Sequence, residues 1–245
     1  MSEVLLKGAT ARLGERPVLD SVNLSLQLGE LVALCGPNGA GKTSVLRAAL
    51  GLMRLDAGAA PLGDLPDRER ARRAAYLPQD RRIAWNLPAV EVAALGAPFL
   101  EGEAALERAR TTLEAVGVGD LADRGVAEMS GGERARVLLA RALVSSAPML
   151  LADEPAAGLD PDARLLVMER LRERADGGHA VLVSLHDLGL AARFADRVVV
   201  MRRGGVMADG PPLEALRSET LMHAFGLTGR WIEGPDGPLL SARRA

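Results

Sequence analysis

The segment Gly36-Pro-Asn-Gly-Ala-Gly-Lys-Thr43 has the residue types and spacing of a phosphate cradle. Its glycines, Gly36, Gly39 and Gly41, let the backbone wrap closely around an anion with its N–H groups turned inward. Pro37, Asn38 and Ala40 fill the rest of the loop. A helix starting at Lys42 aims the positive end of its dipole at the same anion. The Lys42 ammonium supplies charge for β- and γ-phosphates, and the Thr43 hydroxyl, with Ser44 beside it, suits a Mg²⁺-bound phosphate chain. Lys7 is the only other lysine in the chain, and arginine carries the remaining basic charge.

A second piece complements the first. Met149-Leu-Leu-Ala-Asp153 reads as an apolar strand ending in a carboxylate. That places Asp153 at the edge of the sheet where ligands of α/β proteins bind, able to hold Mg²⁺ directly or through water. Glu154 follows, placed to orient or polarise an attacking water. A third piece, Ser130-Gly-Gly-Glu133, is a capping box at a helix start. Its two glycines, Gly131 and Gly132, cost helix stability and expose backbone N–H groups, as an anion-binding helix N-terminus requires.

These residues need a scaffold. The run Leu31 to Cys35 is too short for a helix and reads as a buried strand, with Cys35 a small core residue. Val22, Leu24, Leu26 and Leu28 alternate with polar residues as a half-buried strand. A helix is predicted from Lys42 to about Leu52. Residues 84 to 143 show helical pattern and little strand pattern. In particular, Glu103 to Gly117 sets Leu106, Ala109, Leu113 and Val116 on one face, with Gly117 as a C-cap. Pro161 behind Asp160 opens a helix ending near Gly177-Gly178. Ala180–Leu185 and Val198–Arg202 read as strands, and Gly204-Gly205 as a hairpin turn into Val206. A Gly-Pro-Asp-Gly turn separates two short apolar runs in the tail. Strands separated by helices imply a parallel sheet with crossover connections.

Composition narrows the function classes. The chain has 245 residues, a formal charge of −2 and one cysteine. No disulfide framework can form, which fits a reducing compartment. No basic field is offered to nucleic acid, and none is expected as a partner. The start, MSEVLLKGAT, is not that of a secretory signal. No apolar run approaches the roughly 18 residues that span a bilayer, so a membrane role would come through a partner.

With Met129-Ser-Gly-Gly-Glu133 beside the phosphate loop, the sequence resembles the ATP-binding subunits of ABC transporters, over nearly its whole length. The resemblance implies an α/β fold: a P-loop NTPase (RecA-like) core with an N-terminal antiparallel β-subdomain and an inserted α-helical subdomain. It divides one domain, 1–245, into a core with β-subdomain (1–83 and 144–245) and a helical signature subdomain (84–143). It makes Gln79, in Tyr-Leu-Pro-Gln79, the residue that links the metal to the membrane partner. Ala157-Gly-Leu-Asp160 is similar to the loop that crosses between subunits. His186, on its own a satisfied structural histidine, resembles the switch residue that contacts the γ-phosphate. His179 and His223 match nothing. The implied cofactors are ATP and Mg²⁺. The implied assembly is a head-to-tail homodimer, each ATP lying between the phosphate loop of one chain and Ser130-Gly131-Gly132 of the other. The implied partners are transmembrane permease subunits and, through them, a periplasmic substrate-binding protein, with the chain peripheral on the cytoplasmic face of the membrane.

The sequence departs from the family pattern in places. Met129 replaces the usual leucine, and Ala156 a frequent threonine. Leu13 stands where an aromatic ring usually stacks on adenine, leaving Leu13 and Val18 as an apolar platform. The run from His186 to Val198 looks most like the ATPases of iron-siderophore, haem and cobalamin importers. Those carry Gly-Arg-x-Pro in the helical subdomain, where this chain has Gly96-Ala-Pro-Phe99. Another cargo, an exporter, or a soluble ABC ATPase of cofactor assembly or nucleic-acid transactions is the alternative.

Overall fold

The computed structural model describes residues 2–80, 83, 86–234 and 237–245. The first half of the chain runs β1 (Ser2–Leu13), β2 (Arg16–Gln27), β3 (Leu31–Cys35), α1 (Lys42–Ala49), β4 (Ala57–Ala59), α2 (Asp67–Arg73) and β5 (Ala74–Leu77). Helices α3 (Ala89–Ala94), α4 (Gly102–Ala115) and α5 (Gly131–Leu143) follow. Then come β6 (Met149–Asp153), α6 (Pro161–Asp176), β7 (Ala180–Leu185), α7 (Leu188–Phe194), β8 (Arg197–Arg202) and β9 (Gly205–Gly210). The chain closes with α8 (Pro212–Ala215), α9 (Ser218–Phe225), β10 (Leu227–Gly234) and β11 (Gly237–Arg244).

The main sheet has the order β5-β6-β7-β3-β8-β9, with every pair parallel except β8–β9. Its central strands are apolar, apart from Ser184 and residues at the strand ends, because both faces are covered. Leu31, Ala33 and Cys35 of β3 join one core with the helices, and Val32 and Leu34 join a second core with α1 and the N-terminal strands. Strands β6, β7 and β8 divide their residues between the two cores in the same way. A smaller antiparallel sheet, β2-β1-β4, closes the second core.

Arg197 joins the two sheets. Its Nε donates to Glu30 (2.7 Å), its Nη1 to Asp209 on β9 (3.1 Å) and its Nη2 to the Ser25 carbonyl on β2.

Several expectations need correction. The first strand pair is longer than the alternation from Val22 suggests. Bulges between Val4 and Leu6 and between Leu6 and Ala9 rotate β1, so adjacent Leu5 and Leu6 are both buried and period two is lost. Strand β2 ends at Gln27, which leaves Leu28 45% exposed instead of inward. Helix α1 ends at Ala49, before Gly51 turns left-handed at φ +66°. The β8–β9 turn is centred on Arg203 (φ +50°) and Gly204 (φ +86°), a pair of left-handed residues that suits a two-residue hairpin, while Gly205 already pairs with Arg202.

Other readings hold. In α4, Ala109 and Leu113 are buried, as is Val116 just beyond it, and Gly117 ends the helix at φ +70°. Asp160 caps α6, its Oδ1 accepting from the Ala163 amide at 2.9 Å. Between β5 and β6 the described residues form helices and no strand, apart from an isolated bridge of Pro88 with Gly125. Ala84, where the helical segment was expected to begin, lies outside the described residues. So do Pro235 and Asp236 of the expected tail turn, whose flanking strands β10 and β11 pair antiparallel.

Candidate active site

The Gly36–Gly41 loop leaves the C-terminal edge of β3 and leads into α1. Two of its glycines are required by space. A methyl group on Gly41 (φ +107°) would lie 2.5 Å from the Val18 carbonyl oxygen, and one on Gly36 would lie 2.5 Å from that of Met201. The loop is thus clasped between β2 and β8. Gly41→Ala adds left-handed strain and an overlap with backbone that cannot rotate away. It is expected to lower stability by about 2 kcal/mol. An unchanged urea midpoint would show that the clasp yields.

Lys42 is only 5% exposed. Its Nζ donates to the carbonyls of Gly36 (2.9 Å) and Pro37 (3.4 Å), bracing the loop. Burial pushes its pKa below the ordinary lysine value, and Glu154, Cys35 and Asp153 oppose that shift. Cys35 is fully buried, and burial pushes its thiol up to about 12. It is the core residue that its position suggested.

Three neighbouring parallel strands bring the remaining chemistry to the same edge. Gln79 follows β5, Glu154 follows β6 and His186 follows β7. Gln79 Nε2 donates to Glu154 Oε2 at 2.8 Å, and His186 Nε2 donates to Glu154 Oε1. The Glu154 backbone is left-handed, φ +49°, a strained conformation for a side-chain-bearing residue that functional sites often retain. Ser184, across from Asp153 on β7, fixes this corner. Its Oγ accepts from the Glu154 amide (2.9 Å) and donates to Asp153 Oδ1 (2.6 Å). The other carboxylate oxygen, Asp153 Oδ2, is buried and has no hydrogen-bond partner among the described residues.

Leu13, Arg16, Val18, residues 38–44, Gln79, Glu154 and His186 line a cleft of about 500 Å³. Most residues singled out in the sequence therefore meet there. Seven do not line it: Gly36 and Pro37 open the loop, Asp153 ends β6, and the other four stand at helix starts. Ser130, Gly131 and Gly132 start α5 and Asp160 starts α6. The Ser130 Oγ accepts from the Glu133 amide (3.3 Å) while Glu133 accepts from the Ser130 amide (2.8 Å). These bonds hold the Glu133 carboxyl below the usual range. Both glycines face open space.

Sequence reasoning missed Arg16 and Ser184. Ser184 had a signal, as the polar residue inside the apolar run Ala180–Leu185. Arg16 had none in so arginine-rich a chain.

Residues 19–157 match the family model described as ABC transporter. The "Hemin import ATP-binding protein HmuV" of Streptomyces coelicolor is 43% identical over 229 residues, covering 89% of this chain and 81% of that protein. A dimeric ATP-binding cassette in a post-hydrolysis state with ADP and Pi superposes with TM-score 0.76 at 29% identity, over 86% of this chain and 99% of that one. A metal-chelate type ABC transporter in an inward-facing conformation superposes with TM-score 0.85 at 20% identity, over 100% and 98%, and shows the shared fold. A glycine-rich loop at the edge of a parallel sheet, a carboxylate gripped beside it and these likenesses lead to one conclusion: the chain belongs to the ABC transporter family and is an ATP-binding, ATP-hydrolysing cassette.

Proposed function

We propose that this cassette powers import of a metal chelate of the haem, siderophore or cobalamin kind. The observation that carries the mechanism is the Glu154 carboxylate, held between Gln79 and His186 in the cleft that the Lys42 loop lines. The loop amides and Lys42 hold the polyphosphate of ATP, and Leu13 and Val18 face the base. Glu154 takes a proton from water as its oxygen attacks the γ-phosphorus, the bond to ADP breaks, and ADP carries away the negative charge. Gln79 and His186 fix the direction of that carboxylate, and His186, lining the same cleft, contacts the γ-phosphate.

The residues fit a Mg²⁺ ion. Asp153 Oδ2 is a buried acceptor without a partner among the described residues, and a cation or its bound water would satisfy such an oxygen. Thr43, Asp153 and Gln79 would hold the ion, which when bound neutralises phosphate charge. Among the described residues no three His, Cys, Asp or Glu side chains form a metal cluster. Phosphate oxygens and water would complete its shell.

The open start of α5 lies away from the cleft, which supports a head-to-tail homodimer on ATP binding. Ser130, Gly131 and Gly132 of one copy then close over ATP in the other, with the Asp160 loops crossing between them. In this assembly the chain divides into a core (1–83 and 144–245) and a helical signature subdomain (84–143).

Among the described residues no helix is long and apolar enough to cross a membrane. The pore belongs to permease subunits, with this chain on their cytoplasmic face and a periplasmic binding protein delivering cargo. Hemin import by the Streptomyces coelicolor relative favours haem as that cargo. Reconstituted with its permease in vesicles, the cassette is expected to co-purify in detergent and to show ATPase activity stimulated by hemin-loaded binding protein. Failure to bind any polytopic partner would leave a soluble ATPase as the better reading.

Leu13 is 60% exposed at the cleft. Leu13→Tyr is expected to tighten ATP binding several-fold, since a stacked ring adds on the order of 0.5–1.5 kcal/mol. Calorimetry with ATP and GTP checks this, and unchanged affinities would place the base elsewhere.

A further inference from the structure

Arg16 belongs to no motif, yet it stands where the two clefts beside the phosphate loop meet. It opens β2 opposite Leu13, and a methyl group on Gly39 would lie 3.0 Å from its Nη2. The guanidinium therefore rests over the tip of the loop. It lines the nucleotide cleft on one side. On the other it shares a second cleft of about 410 Å³ with Asn38, Arg202 and Arg203. None of these three guanidinium groups has a hydrogen bond or ion pair among the described residues. Uncompensated cations around inward-turned backbone amides focus a positive field on one spot.

Of the other cleft-lining groups, the one fixed cation is Lys42, whose Nζ already serves two loop carbonyls. A triphosphate carries more negative charge than Lys42 and one Mg²⁺ together meet. An arginine fork presents paired N–H donors that match phosphate oxygens.

We propose that Arg16 is a second phosphate-binding cation of the nucleotide site. It takes an oxygen of the polyphosphate from above Gly39, while Lys42 acts from within the loop. This rests on the cleft being the ATP site, and it adds a ligand that the N-terminal β-sheet contributes.

Calorimetry with ATP and with inorganic tripolyphosphate, on wild type, Arg16→Ala, Arg16→Lys and Lys42→Ala, tests it. Arg16 is exposed, so its variants keep the fold, which circular dichroism verifies. Arg16→Ala is expected to weaken both ligands about tenfold and to flatten the salt dependence of binding. Arg16→Lys, keeping the charge, is expected to lose less. Unchanged tripolyphosphate affinity in Arg16→Ala overturns the proposal, and a loss confined to ATP assigns the guanidinium to the base instead. If Lys42→Ala also binds tripolyphosphate as wild type does, the loop is not the phosphate site and the parent reading falls with it.

Discussion

Glu154→Gln is expected to convert the cassette into an ATP-bound dimer that does not turn over. Glutamine keeps the side chain's shape and still offers one oxygen to Gln79 or His186, so the corner built by Ser184 stays in place. It loses the carboxylate that accepts the water proton, and turnover is expected to fall at least about a hundredfold. It also removes a negative charge beside the γ-phosphate, so ATP affinity is not expected to weaken. ATP then persists between Lys42 of one copy and Ser130 of the other. Size-exclusion chromatography is expected to move from the 25.7 kDa monomer toward twice that mass when ATP is added. Adding Ser130→Arg places a bulky group at the second phosphate contact and is expected to abolish the shift. Tight ATP binding by a protein that stays monomeric at high concentration would refute the head-to-tail sandwich.

Lys42→Ala is expected to lower ATPase activity by at least about tenfold, since it removes the one cation that acts from within the loop proposed to hold the β- and γ-phosphates. Fold and function separate cleanly here. Burial lowers the pKa of Lys42, so at neutral pH the folded state holds an ammonium less favourably than the unfolded chain does. Removing it relieves that penalty, while the carbonyls of Gly36 and Pro37 lose their donor. The melting temperature is therefore expected to change little while activity collapses. Wild-type turnover in pure Lys42→Ala would remove the loop from the mechanism.

Much of this was readable beforehand, for a physical reason. A parallel sheet covered on both faces writes its strands as near-continuous apolar runs, and β3, β6, β7 and β8 each divide their residues between two cores. Strand β1 was less legible because its bulges bury adjacent Leu5 and Leu6. The β8–β9 turn shifted by one residue because Arg203 accepts the left-handed position that glycine was expected to fill. In the site, Lys42, Asp153 and Glu154 were visible because loop or strand end places them by contiguous sequence. Gln79 and His186 became visible through resemblance, and their meeting on one carboxylate is tertiary information. Arg16 and Ser184 reach the site from other strands, with no local pattern to mark them.

The burial of Cys35 bears on how this protein can be observed. The chain's one thiol sits under the phosphate loop, with a pKa pushed up to about 12. At neutral pH it holds almost no thiolate, the form that alkylating reagents attack. A cysteine introduced at an exposed position therefore becomes the only practical attachment point for a maleimide dye or nitroxide. No thiol-free background has to be built first. Closing and opening of the cassette pair can be followed by fluorescence transfer or spin–spin distances in protein whose loop and core are otherwise unaltered.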